Sequence, residues 1–372
     1  METVGMEIEL NTIEEAVADI KAGKVIIVVD DEDRENEGDF LTAARNITPE
    51  IINFMATHGR GLICAPLIED ECDRLGLEMM VQSNSAAYET PFTVSIDLIG
   101  HGCTTGISAT DRAKTVQALI DPNISPEELG KPGHIFPLRA KKGGVLRRAG
   151  HTEAAIDLSR MAGFEPAGVI VEIMNEDGTM ARVPDLMVIA KKFDLKIVSI
   201  ADLIAYRMRT ESLIERMVET DLKTLWGDFK LVAFRQTTTD EEHLAFVKGD
   251  FKDGEAALVR VENASFTHNL LDAVRSDKQS SLSASLKMIE AEGKGILLFI
   301  QQKGKMVGLI EKLKSYETVK VKADKKDYGI GAQILLHFGL SKLKLISNSV
   351  SANNSTIHAY GLEVVEVVSF NA

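Results

Sequence analysis

Lys24-Val-Ile-Ile-Val-Val-Asp30-Asp-Glu-Asp-Arg34-Glu-Asn-Glu-Gly-Asp39 sets a β-branched run directly against an acidic turn. The run Lys24–Val29 reads as a buried strand. Of the ten residues that follow, seven are carboxylates, with Arg34 alone among them as a cation. Gathering that many like charges in one turn costs energy unless cations neutralise them, and hard divalent cations take oxygen ligands of this kind. A solvated acidic loop is the plain alternative. Two details favour a site. The cluster ends a strand in a chain that alternates strands with helices, where sites collect, and Gly38 permits close backbone approach. The stretch therefore predicts a metal-dependent active site in an α/β domain.

On the N-terminal side, Thr12 to Gly23 reads as a short amphipathic helix with a polar cap at Asn11 or Thr12, acids in its first turn and glycine at its end. On the C-terminal side, Phe40–Ala44 reads as a strand, Thr48-Pro49 to Gly59 as a helix and Gly61–Ala65 as a buried strand. Cys64 near the end of that strand is either a packed small hydrophobe or a catalytic thiol. Phe92–Asp97 alternates like a strand. It leads into His101-Gly-Cys-Thr-Thr-Gly-Ile-Ser-Ala-Thr-Asp-Arg112, where Thr110 is expected to cap a helix running through Leu119. Hydroxyls and free amides before a helix suit an anion, although such turns are also ordinary caps.

Gly133–Leu138 and Arg147–Glu153 flank a glycine hairpin, Lys141-Lys-Gly-Gly144. A helix over 153–162 would leave His151 at its threshold, with Arg147 and Arg148 forming a cationic entrance suited to a phosphate. Glu172, a carboxylate on the apolar strand Gly168–Met174, needs a partner or a function. Asn175–Gly178 reads as a turn, with a helix opening at Pro184-Asp185, a strand at 196–200 and a closing helix over 201–209.

The length of 372 residues points to two domains, and 45% hydrophobic with 26% charged residues is a globular composition. Residues 1–210 hold 21 Lys and Arg against 34 Asp and Glu, a balance of −13, and residues 211–372 hold 21 against 22, a balance of −1. Domains of 1–209 and 210–372 are expected. The net charge of −14 argues against non-specific nucleic-acid binding. With no signal peptide, no membrane-length apolar run and three unpatterned cysteines (Cys64, Cys72, Cys103), a cytoplasmic location is expected.

Asp30–Asp39, Thr104–Arg112, Gly133–Leu138 and Arg148-Ala-Gly-His-Thr-Glu153, in this order and spacing, closely resemble 3,4-dihydroxy-2-butanone 4-phosphate synthase over about residues 8–207. The resemblance implies conversion of D-ribulose 5-phosphate to L-3,4-dihydroxy-2-butanone 4-phosphate and formate, for riboflavin. It implies a magnesium or manganese ion on Glu35 and His151. Substrate contacts are implied for Arg34, Glu35, Asp39, Asp30, Thr105, the Arg148-Ala149-Gly150-His151-Thr152 run and Glu172. His134 and Glu172 match positions essential for catalysis, and Glu37, Asp39, Cys64 and Tyr88 look like further pocket residues. A homodimer with sites near the subunit interface is also implied.

Residues 211–372 resemble the GTP cyclohydrolase II domain often fused behind this synthase, best at Asp324–Leu336, Lys344–Ser349 and Gly361–Val365. The overall expectation is a mixed-sheet α/β domain followed by an α+β domain. An active cyclohydrolase of that family holds zinc on three cysteines, yet no cysteine follows Cys103. Ser265–Val274 offers His268 alone, and one histidine does not make a zinc site. Lys326 stands where the family's catalytic arginine is expected, and an ammonium does not replace a planar guanidinium. The second domain is therefore read as having lost cyclohydrolase activity, with no zinc expected. A bifunctional enzyme and a binding module throughout are the alternatives.

Overall fold

Strand β1, Ile26–Val29, is buried at every position, so the β-branched run is covered on both faces. The structure is a computed structural model that describes residues 10–32, 34–86, 88, 90–252, 254–263, 281–301, 328–347, 357–358 and 360–369. The chain divides into two units, Met1–Arg209 and Thr210–Ala372.

In the first unit, helix α1 (Ile13–Lys21) starts with Thr12 accepting from the Glu15 N–H while Glu15 reaches back to the Thr12 N–H, a capping box. The acidic stretch after β1 returns the chain to β2 (Gly38–Ala43), which runs antiparallel with Val29 opposite Gly38 and Val28 opposite Asp39. Helix α2 (Pro49–His58), capped by Thr48, leads to β3 (Cys64–Ile68) and the short α3 (Glu69–Arg74). After β4 (Ile96–Leu98) come α4 (Ala109–Leu119), β5 (Leu129–Ala140), α5 (His151–Met161) and β6 (Gly168–Glu172). Helix α6 (Val183–Phe193), β7 (Ile197–Ser199) and α7 (Ile200–Thr210) complete the unit.

The strands form one mixed sheet ordered β4-β5-β3-β6-β2-β1-β7. Two pairings matter for function: Asp39 lies opposite Glu172, and Cys64 opposite Ile170. On one face, Ile27, Phe40, Val169 and Val171 join Ile52, Met55, Leu119 and Leu186 in the main apolar cluster. Helix α5 packs against β2, β3 and β6, and its residues 151–159 are all buried. A helix buried all round has no solvated side, so its polar residues sit inside the protein.

Several boundaries differ from expectation. Ser108, not Thr110, caps α4, because its hydroxyl accepts from the Asp111 N–H three positions on, at 3.0 Å. Of the alternating 92–97 segment only Ile96 and Asp97 join a named strand, β4, with a register shift between them. Gly133–Leu138 is the middle of the long β5, and β3 begins at Cys64, later than Gly61. Helix α5 starts at His151, not 153, with Gly150 at its N-cap.

Inside the unit, Arg207 of α7 donates to Asp157 of α5 at 2.7 Å and to the Gly143 carbonyl at 2.8 Å. Burial pushes the Asp157 carboxyl up to about 6 despite Arg207 beside it. Removing one partner of such a pair leaves a charge inside, at about 3–5 kcal/mol. Asp157→Ala is expected to lower the midpoint of chemical unfolding by a stability loss of that size, and an unchanged midpoint would refute it.

The second unit holds β8 (Ile214–Thr224), β9 (Gly227–Gln236), β10 (Glu242–Lys248) and β11 (Ala256–Asn263), then α8 (Ser281–Glu292), β12 (Gly295–Ile300), α9 (Tyr328–His337), β13 (Lys342–Ile346) and β14 (Glu363–Val368). These strands form a second mixed sheet, ordered β14-β13-β11-β12-β10-β9-β8. Leu286 and Ile289 of α8 pack on Phe229, Leu258, Leu297 and Ile346. The segments read as the altered zinc and arginine positions, 265–274 and 324–326, lie outside the described residues.

Candidate active site

Asp30 builds the acidic loop from within. One carboxylate oxygen accepts from the Glu37 N–H at 2.8 Å, and the other accepts from the Glu35 N–H at 3.2 Å and from Arg34 at 2.7 Å. Arg34 also donates to Glu35 at 2.8 Å, so part of the expected counter-charge comes from the chain itself. Burial works against the Arg34 charge, but Glu35 and Asp30 outweigh it and raise its pKa. Asn36 adopts φ 53°, and Arg182 pins the bend by donating to the Glu35 and Asn36 carbonyls.

His151 reaches this loop from the start of α5. Its Nε2 lies 3.1 Å from the Val28 carbonyl, and a carbonyl only accepts, so Nε2 carries the proton and Nδ1 keeps its lone pair. That Nδ1 lies 4.0 Å from Glu35 Oε2. Burial lowers the His151 pKa even though Asp30 and Glu35 pull it upward, which keeps the ring neutral. Asp30, Glu35 and His151 each offer a ligand atom within 4.8 Å of the others. A neutral imidazole, tautomer-fixed by a backbone acceptor and set beside two carboxylates, fits a divalent cation.

Deeper in the sheet, Asp39 is fully buried, and its Oδ1 has no hydrogen-bond partner among the described residues. Burial, with the Glu172, Glu35, Glu37 and Asp30 charges adding to it, raises the Asp39 pKa well above the usual carboxylate value. Burial and the Glu35 and Asp30 charges likewise raise Glu37. Glu172 has its partner: it accepts from the Leu62 N–H at 2.9 Å. A side chain at Gly61 would come within 2.5 Å of the same carboxylate, so only glycine fits there. Because the Asp39 pKa is raised on folding, the stability tied to its neutral form is present at low pH and lost as pH rises through the folded value. Asp39→Asn should therefore hold its melting temperature, with chelator present, as pH rises above the ordinary carboxylate range, where the parent declines. Parallel declines would refute the assignment.

Arg34, Glu35, Glu37, Asp39, Arg148, His151, Thr152 and Glu172 form the polar lining of a cavity of about 300 Å³, with Cys64, Phe92, Leu138, Ile170, Tyr88 and Thr90 as its other walls. Burial, then the Glu172 and Asp39 charges, pushes the Cys64 thiol well up. It stays protonated and lines the wall as a small apolar group, not as a thiolate nucleophile. The cationic entrance is also altered: Arg148 donates to the fully buried Glu153 at 2.6 Å and to the Tyr88 carbonyl at 3.2 Å. Tyr88 lies 5.2 Å from the Arg34 guanidinium, ring centre to carbon, and its hydroxyl bonds the Arg34 carbonyl.

Not every expected residue lines the cavity. Ala149 and Gly150 are buried and contribute the backbone that leads into α5. Thr105 is exposed, and His134, with 43% of its side chain exposed, bonds Asp97 instead. Glu153, Arg182 and Asp97 are the functional neighbours that sequence reading missed. The acid directly after His151-Thr152 was the one available signal, because an N-terminal helical acid facing an arginine invites pairing.

Residues 14–206 match the family model of 3,4-dihydroxy-2-butanone 4-phosphate synthase, and residues 215–369 match that of GTP cyclohydrolase II. The riboflavin biosynthesis protein RibBA of Cytophaga hutchinsonii is 54% identical over 97% of this chain and 92% of that protein. The RibBA of Parabacteroides distasonis is 52% identical with the same coverage. Among solved structures, RibBX of A. baumannii, described as a two-domain 3,4-dihydroxy-2-butanone 4-phosphate synthase, has a TM-score of 0.66 and 40% identity, covering 97% of this chain and 100% of that one. A 3,4-dihydroxy-2-butanone 4-phosphate synthase in complex with two magnesium ions has a TM-score of 0.52 and 40% identity, covering 54% of this chain and 98% of its own.

Proposed function

This chain belongs to the 3,4-dihydroxy-2-butanone 4-phosphate synthase family of riboflavin biosynthesis, and from that premise we propose that its cavity converts D-ribulose 5-phosphate to L-3,4-dihydroxy-2-butanone 4-phosphate and formate with a magnesium or manganese ion. The observation that carries the reading is the Asp30, Glu35 and His151 cluster beside the buried Asp39 carboxyl and its cross-strand neighbour Glu172.

Glu35 and His151 hold the cation, with Asp30 as the carboxylate that shapes their loop. When bound, the cation supplies positive charge against sugar oxygens as the carbon beside the ketone loses its proton. Glu37 and Asp39, both raised in pKa by burial and by neighbouring carboxylates, give and take the protons of the reaction. Glu172, fixed by the Leu62 amide, presents a carboxylate to the same space. Arg148 and Thr152 at the start of α5 take the phosphate, with Glu153 holding the guanidinium in place. The apolar walls keep water from the reacting carbons.

His134 and Thr105 enter the site from a second copy of the chain, which makes the working enzyme a homodimer. The outward exposure of both residues in one copy supports this. The second domain is a cyclohydrolase fold without GTP cyclohydrolase II activity and without zinc. Its lack of any cysteine after Cys103 supports that assignment. So does the description of the two-domain relative by its synthase activity alone. The enzyme works in the cytoplasm on a small-molecule substrate, with no nucleic-acid or membrane partner; among the described residues no helix is long and apolar enough to cross a membrane.

Formate release from ribulose 5-phosphate tests the reading. Release that depends on added magnesium or manganese and stops with a chelator is expected. Undiminished release in chelator would overturn the metal's place in it.

A further inference from the structure

The segment from Lys141 to Arg148 is held by two buried carboxylates that stand four residues apart, one turn, on α5. Glu153, fully buried, accepts from the Lys141 N–H at 3.0 Å with one oxygen and from the Arg148 guanidinium at 2.6 Å with the other, so it joins the two ends of the segment. Asp157, 2% exposed, holds the middle by accepting from the Val145 N–H at 2.8 Å. Arg207 of α7 donates to the same Asp157 oxygen at 2.7 Å and to the Gly143 carbonyl at 2.8 Å. Glycine is required where the chain passes these groups: Gly143 and Gly144 have φ of 102° and 62°, and a side chain at Gly144 would lie 2.1 Å from the Asp157 carboxylate. The Gly144 carbonyl in turn accepts from the Arg148 N–H at 3.1 Å, which carries the hold on to Arg148 itself.

We propose that Asp157 and Arg207 are positioning residues of Arg148, and that residues 141–148 form a phosphate cradle that is complete before substrate arrives. Neither residue lines the cavity, so both act through the main chain of the turn. A Lys-Lys-Gly-Gly turn left to itself samples many conformations, because glycine loses more freedom on ordering than any other residue. Bonds from the turn to buried charged groups remove that freedom in the folded chain, and an anion binds more tightly when ordering does not have to accompany binding. An apolar pair of similar volume at 157 and 207 would pack as well as the ion pair. It would offer nothing to the Val145 N–H or the Gly143 carbonyl, which is what the charged pair supplies. Arg148 gives one N–H to Glu153 and one to the Tyr88 carbonyl, and its planar fork, with the side chain 21% exposed, keeps further N–H groups for a phosphate. The inference rests on the reading of Arg148 as a phosphate ligand.

The test uses the full chain with Asp157→Asn and Arg207→Met together, which removes both buried charges and takes the donor from the Gly143 carbonyl. We expect KM for ribulose 5-phosphate to rise about 10-fold or more while kcat changes by less than about 3-fold, and the inhibition constant of inorganic phosphate to rise with KM. A purely structural role would lower the melting temperature and leave both constants parental. Parental constants would overturn the proposal, and so would a loss confined to kcat. If the double variant does not fold, hydrogen exchange on the parent decides. The Lys141 and Val145 amides should exchange slowly without ligand and gain less than about 3-fold protection in saturating inorganic phosphate. Fast exchange that phosphate slows by about 10-fold or more would show a segment that closes on its ligand and would overturn the preformed cradle. A parental KM in Arg148→Ala would show that the reading of Arg148 fails. A raised KM in Arg148→Ala with a parental KM in the double variant would place the error in Asp157 and Arg207.

Discussion

Glu35→Gln is expected to release formate from ribulose 5-phosphate at least about 10³-fold more slowly than the parent, a loss of about 4 kcal/mol of transition-state stabilisation. The amide keeps the size of the side chain and one acceptor oxygen but removes the charge that faces His151 Nδ1 at 4.0 Å. It also leaves Arg34 with Asp30 as its one remaining partner of the two that bracket it. Asp30 still accepts the Glu35 and Glu37 amides, so the loop keeps its shape and the melting temperature moves little. Titration with manganese, followed by magnetic resonance, should show the loss as weakened ion binding. Parental metal affinity in the variant would remove Glu35 from the ligand set.

Mixing two dead variants should restore activity. Glu35→Gln disables the cavity of its own copy, and His134→Ala removes the residue that the proposed dimer supplies to the neighbouring one. After subunits exchange, half of the dimers carry one copy of each, and each such dimer holds one site with neither lesion. About a quarter of the parental rate is expected in an equal mixture. A mixture as inactive as its components would put Glu35 and His134 in one subunit's site and refute the shared arrangement.

Much of the first domain was legible because its signals are local. Thr12 and Thr48 each cap a helix through their own sequence neighbours, and the β-branched run before Asp30 can only be an interior strand. Ten residues quoted for the site, from Arg34 to Glu172, line one cavity, since the family motifs that carry most of them are ordered and specific. What escaped depends on distant pairing. Arg148 reads as a free cation until the fold turns Glu153 inward against it, five residues away on a helix with no solvated face. Asp97 and His134 are 37 residues apart, and nothing local to either announces the other. Cys64 reads as a possible nucleophile until its burial between strands is known. The cap of α4 moved from Thr110 to Ser108 because several hydroxyls stand in a row there, and composition alone does not choose among them.

The most direct measurement supplies the purified full-length protein with magnesium and gives it ribulose 5-phosphate and GTP in separate reactions, reading formate in each. Formate from ribulose 5-phosphate and none from GTP is the expected result, because the first domain gathers its carboxylates and histidine around one cavity while the second has no cysteine for zinc. Formate from GTP would contradict the loss of cyclohydrolase activity and make the enzyme bifunctional. No formate from ribulose 5-phosphate would contradict the account at its centre.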